Sequence, residues 1–163
     1  MSMTLSWRFL LGLAFCLALA LSAYLFRLDY LNPWTVSLHI AAYFYLCFLA
    51  CTLHRRLAKL NAQGYPIGAF EVSILMLVPF FYIFWNAHWF EELCHRAKVL
   101  PFGGSFYLTG PRIQSLLFAA LSVLCFPDNL GRLPGIISIF AFALIFYMLD
   151  RIHLQIGAQA TKS

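Results

Sequence analysis

Apolar residues run along this chain in long, nearly uninterrupted stretches, and the polar and charged residues collect in short breaks between them. A helix of about 20 apolar residues is what the ~30 Å hydrocarbon layer of a bilayer requires. The pattern therefore predicts an all-α fold: a polytopic transmembrane helix bundle forming one domain over residues 1–163. Five hydrophobic segments are expected, at about 8–26, 34–53, 67–90, 112–126 and 134–150. The last two are short, so the alternative has four spans, with these two forming a re-entrant hairpin. Two full crossings are preferred, because Asp128 and Arg132 lie between them and a lipid-exposed charged turn is costly.

The breaks carry local signals. Arg8, a following apolar run and Ala18-Leu19-Ala20 resemble an export signal. The run continues to Phe26, longer than a usual signal core, and predicts a retained span. Asn32-Pro33 predicts a turn with a helix starting near Trp34. The second segment ends in His54-Arg55-Arg56, with Lys59 following, which marks a headgroup boundary, and residues 57–64 read as a short amphipathic extension. Pro79 stands inside the third segment and predicts a kink, with the freed carbonyl satisfied by a neighbouring helix or a polar side chain.

Composition agrees with a membrane solvent. The chain is 63% hydrophobic and 10% charged, with a mean hydropathy of +0.81, whereas about a quarter of a soluble domain is charged. This excludes most soluble-enzyme architectures and places any site inside the bundle or at its rims. The net charge of +5 comes from cations placed singly or in small groups beside apolar segments. It predicts anchoring to a lipid bilayer and no nucleic-acid partner. Five cysteines without a Cys-x-x-Cys read as small buried hydrophobes. Five crossings would put Arg8, Arg55, Arg56, Lys59 and Arg132 on one side, and the positive-inside rule favours a cytoplasmic location for that side.

Five crossings would also bring His39, His88, His95 and His153, with Glu91, Glu92 and Asp150, towards one membrane face. His88, Glu92 and His95 are spaced i, i+4, i+7 and share a helical face. Glu92-x-x-His95 and Asp150-x-x-His153 resemble the paired ligands of a two-metal carboxylate centre. The four histidines, His39, His88, His95 and His153, are the candidate ligands if the cofactor is a haem, which needs facing imidazoles. The more ordinary reading, a polar cap with local ion pairs, is preferred. Glu71, about a turn inside the third segment, is a candidate proton or substrate group, although snorkelling towards Arg55, Arg56 and Lys59 explains it more simply. Asn86 is expected to hydrogen-bond between helices, and Trp85 and Trp89 to anchor at the interface.

Several residues together carry a resemblance: residues 53–61 (Leu-His-Arg-Arg-Leu-Ala-Lys-Leu-Asn), Pro66, Val78-Pro79-Phe80-Phe81-Tyr82 and Trp89-Phe90-Glu91-Glu92-Leu93. Over about residues 45–97 the chain resembles small uncharacterised bacterial multi-span membrane proteins. The resemblance implies a bacterial membrane origin only and assigns no catalytic residue; the expected location is the bacterial inner membrane. No complete catalytic constellation is visible. The expected function is a non-catalytic integral membrane subunit packing against a larger complex or its own copies. The alternatives are a small membrane oxidoreductase or haem or metal carrier, and a small transporter centred on Glu71.

Overall fold

The computed structural model describes residues 6–25, 32–60, 68–78, 81–97, 101, 110–125 and 135–160. They form six helices: α1 (Trp7–Leu25), α2 (Pro33–Leu60), α3 (Ala69–Leu75), α4 (Phe81–Ala97), α5 (Pro111–Cys125) and α6 (Gly135–Ala160). Three are long and apolar enough to cross a membrane: α1, residues Pro33–Ala58 of α2, and residues Ile136–Ala158 of α6. Helix α5 has 15 residues, about 22 Å at the helical rise.

Local chemistry explains the helix starts. The Asn32 side chain accepts the Trp34 amide at 3.0 Å, the Asn32 carbonyl begins the helical ladder at Val36, and Pro33 occupies the first helical position. Pro111 does the same for α5, where the Gln114 amide bonds the Gly110 carbonyl. The helix continues past the expected end of the second segment to Leu60, and α6 runs ten residues beyond the expected boundary at 150, so that Asp150 and His153 lie within it.

Side-chain contacts fix the directions. Ser6 bonds Asp150, Phe9 meets the edge of Tyr147, and the Cys16 thiol faces the Ile139 carbonyl, so α1 and α6 are antiparallel. Tyr45 bonds the Arg8 carbonyl and Ser22 bonds Thr35, which makes α2 antiparallel to α1. His39 beside Phe142, Tyr45 against Phe146 and Thr52 beside His153 run α2 parallel to α6. The start of α1 and the C-terminal parts of α2 and α6 therefore share one end of the bundle. This corrects the sidedness expected from five crossings, which placed Asp150 and His153 opposite Arg8.

The reason lies in the third segment, which is not one helix. After Leu75 the backbone turns through 76–78, and helix resumes at Phe81. The Trp85 indole donates to the Val72 carbonyl at 3.3 Å, although one continuous helix would hold residues 72 and 85 about 20 Å apart along its axis. Segments α3 and α4 fold back on each other as a helical hairpin. Its open carbonyls are served by side chains, as expected for a broken helix in an apolar setting: Tyr43 donates to the Met76 carbonyl at 2.8 Å, while Ser73 ties α3 to the Cys47 carbonyl at 3.2 Å. Pro79, Asp128 and Arg132 lie outside the described residues.

The core runs through all six helices. Tyr43, Leu46, Leu49 and Leu53 of α2 meet Phe142, Ile145, Phe146 and Leu149 of α6, and Trp89 and Phe90 of α4 meet Phe118 of α5. The Phe90 and Phe118 rings stack at 4.3 Å, which fixes the α4–α5 contact. Gly12 allows α1 to lie directly on Phe146: a Cβ there would fall 2.6 Å from Phe146 Cδ2.

Candidate functional site

A set of buried and half-buried polar groups closes the end of the bundle where α1 begins. Ser6 donates to Asp150 Oδ1, and the same Ser6 oxygen accepts the Arg8 amide at 3.2 Å. Tyr45 donates to the Arg8 carbonyl at 2.8 Å. Thr52 sends its single hydroxyl proton to the Leu49 carbonyl at 2.9 Å, so His153 Nε2, 3.3 Å away, is the donor to Thr52. That tautomer leaves His153 Nδ1 as a bare acceptor, and the atom is buried without a partner. Asp150 and His153 are 3% and 2% exposed. One turn apart on α6, they face the same way because i and i+3 side chains share a helical face.

Three helices thus contribute to this end. The Arg8 guanidinium lies within electrostatic reach of Arg56, Asp150 and Tyr45, and His153 lies within reach of both Arg8 and Arg56. The arrangement holds one carboxylate, two guanidinium groups and a neutral imidazole. Polar pairs of this kind are costly to bury singly and are tolerated when they satisfy one another.

The other predicted residues are distributed elsewhere. His39 is at the opposite end of α2, where its Nε2 donates at 2.8 Å to the Cys125 carbonyl in the last turn of α5. That carbonyl is one of the four a helix end leaves open, so His39 caps α5. It is level with Phe142, and His153 lies about 16 Å farther along α6. His39 and His153 therefore do not face each other across a haem-sized gap. His88 and His95 are exposed on α4, and His95 Nε2 stands 3.9 Å from Glu91. Glu92, His95, Asp150 and His153 do not gather into one site, and no group of three or more His, Cys, Asp or Glu side chains suited to a metal ion occurs among the described residues.

Glu71 is exposed in the first turn of α3 and accepts the Gly68 amide at 2.8 Å. It serves the helix N-terminus, where a carboxylate is favourable, and forms no ion pair with Arg55 or Arg56. Trp85 and Trp89, expected as interface anchors, are buried in the core because the hairpin turns them inward. Asn86 is 0% exposed, and neither of its amide atoms has a hydrogen-bond partner. The interhelical bond expected of it is not made. The Ser6–Asp150 and Thr52–His153 contacts were not foreseen, and Ser6 and Thr52 carry no motif that would single them out.

No family model, curated protein or solved structure matches this chain.

Proposed function

We propose that the chain is a non-catalytic integral membrane subunit that packs laterally, through its apolar helix faces, against a larger complex or its own copies. The observation that carries this reading is the orientation of its side chains. Leu10, Leu13, Leu17, Leu21 and Tyr24 make an exposed stripe along α1 at spacings of three and four residues, and Phe44 and Phe48 of α2 and Phe140 and Leu144 of α6 are exposed as well. Five polar groups of the same helices turn inward: Ser22, Thr35, His39, Asp150 and His153 are buried, while the charged Arg55 and Arg56 lie exposed towards one end of α2. Apolar-out and polar-in is the arrangement a hydrocarbon solvent demands. The resemblance over residues 45–97 supports a bacterial membrane origin, and the inner membrane is the location we propose.

The test has two parts. Alkaline carbonate should leave the chain in the membrane pellet. A photoreactive residue at Leu13 or Leu17 should give discrete cross-linked protein bands in native membranes, and one at the inward Leu19 should not. Carbonate release would overturn the membrane assignment. Lipid adducts alone from every outward position would overturn lateral packing against protein.

A further inference from the structure

We propose that the end of the bundle where α1 begins is its cytoplasmic face, a cationic rim that lies among the anionic lipid headgroups of that leaflet. This rests on the membrane reading above, to which it adds a side and a lipid partner.

Helix directions gather the cations. Arg8 stands at the start of α1, and Arg55, Arg56 and Lys59 close α2 at the same end. Helix α3 runs against α2, because Ser73 bonds the Cys47 carbonyl while Met76, farther along, meets Tyr43. Trp85 then reaches back to Val72, so α4 returns towards the end from which α3 came, and Arg96 lies in its last turn. The Cys125 carbonyl meets His39 at the opposite end, so α5 runs away from the cationic end and Arg112 opens it there. Arg151 follows Asp150, the partner of Ser6, on α6. Every Lys and Arg among the described residues is therefore at one end. In sequence, the α1–α2 and α5–α6 links at the other end contain only Arg27 and Arg132. A single crossing by residues 67–90 would have carried Arg96, Arg112 and Arg151 to the face opposite Arg8, and the asymmetry would have vanished.

Lys and Arg near helix ends and in short links set orientation, and the richer side stays in the cytoplasm. That leaflet also carries the anionic lipids, which attract basic groups beside the spans. The acids towards this end, Glu71, Glu91, Glu92 and Asp150, are fewer than the cations. Two exposed tryptophans mark the depth of the layer, since tryptophan prefers the boundary with the headgroups. Trp7 is 59% exposed at the cationic end and Trp34 is 70% exposed at the other. Ser22 bonds Thr35, so Trp34 stands about 24 Å from Trp7 along α1, close to the ~30 Å hydrocarbon thickness. Arg8, beside Trp7, is then at headgroup level, and Arg55, Arg56 and Arg112 are exposed at the same end.

Single added cysteines in the full chain report the side through a membrane-impermeant maleimide, applied to intact spheroplasts and again after lysis. The native cysteines are buried or half-buried, so wild type is the blank. Ser2→Cys and Ser163→Cys should be labelled only after lysis, and Asn129→Cys, in the α5–α6 link, before it. For the lipid, proteoliposomes with brominated phosphatidylglycerol are compared with others holding the same fraction of brominated phosphatidylcholine. The emission lost in Trp7→Phe isolates Trp7, and that lost in Trp34→Phe isolates Trp34. Trp7 should be quenched more strongly by the phosphatidylglycerol, and Trp34 equally by both.

Labelling of Ser2→Cys or Ser163→Cys in intact spheroplasts would overturn the orientation. So would failure of Asn129→Cys to react there, in a chain that resists carbonate. If carbonate releases that chain, the membrane reading falls instead. Equal quenching of Trp7 by the two lipids would overturn the anionic headgroups as the partner of this rim.

Discussion

Replacing Gly12 with alanine tests how closely α1 is seated on α6. The added Cβ would stand 2.6 Å from Phe146 Cδ2, 2.7 Å from Cγ and 3.1 Å from Cβ, against a comfortable carbon–carbon separation of about 3.5–4.0 Å. Rotating the Phe146 ring relieves the first two contacts but not the third, because Phe146 Cβ is fixed to the α6 backbone. The ring itself has little freedom: it is fully buried, stacked on Phe142 and edge-on to Tyr45. The two helices must separate by several tenths of an ångström. Overpacking of this kind costs about 1–3 kcal/mol, and the better helix propensity of alanine returns about 1 kcal/mol. The expected net loss is about 0–2 kcal/mol, or up to about 8 °C in Tm for a chain of this size. Gly157→Ala supplies the internal standard. Gly157 is also inside a helix, but nothing lies within 4 Å of its added Cβ, so the propensity gain should appear alone as a higher Tm. Thermal unfolding in one detergent, read by size-exclusion fluorescence, compares the two. If Gly12→Ala proves as stable as Gly157→Ala, the close α1–α6 seam is wrong.

Tyr43→Phe should destabilise the bundle by about 1–3 kcal/mol, because it strips the Met76 carbonyl of its donor at the turn of the hairpin; an unchanged Tm would show that the carbonyl has another partner. Asn86→Thr should leave stability equal or higher, since the volume is similar and a helical threonine can bond its own i−4 carbonyl, as Ser122 bonds Phe118 at 2.8 Å. A clear loss of Tm would mean that the amide holds something in the native membrane. Reporter tags fused ahead of α1 and behind α6 should both be accessible from the same side of oriented vesicles, and opposite accessibility would refute the antiparallel pairing of Ser6 with Asp150.

Helix class and most boundaries were readable because they depend on short-range chemistry. Asn32-Pro33 announces its turn, and the apolar runs announce their solvent. What hydropathy does not encode is direction. The run from Ile67 to Phe90 is as apolar in a hairpin as in a single span, and the fold-back is decided by long-range partners such as Tyr43 and Trp85 that have no local signature. That one choice fixes the end of the bundle reached by every later helix. Reading 67–90 as one crossing reversed the expected position of Asp150 and His153 relative to Arg8, and it grouped His39 with histidines from which the structure separates it. Glu71 was readable as a first-turn carboxylate only once a new helix was known to begin beside it. The inward turn of Asp150 could be anticipated from its cost in lipid, but its partner Ser6, 144 residues away, could not.

The seam between α1 and α6 also orders the assembly of the protein. Among the six helices α1 and α2 are synthesised before the others, when Phe146, Asp150 and His153 do not yet exist. Until α6 arrives, the face of α1 that carries Gly12 and Cys16 has no permanent neighbour, and Ser6 and Thr52 have no acceptor or donor on α6. Of the six helices α6 comes last in chain order, so the α1–α6 seam forms only after the other five have been made. A chain shortened before Phe146 would leave the Gly12 face of α1 uncovered and the Ser6 and Thr52 hydroxyls without their partners on α6.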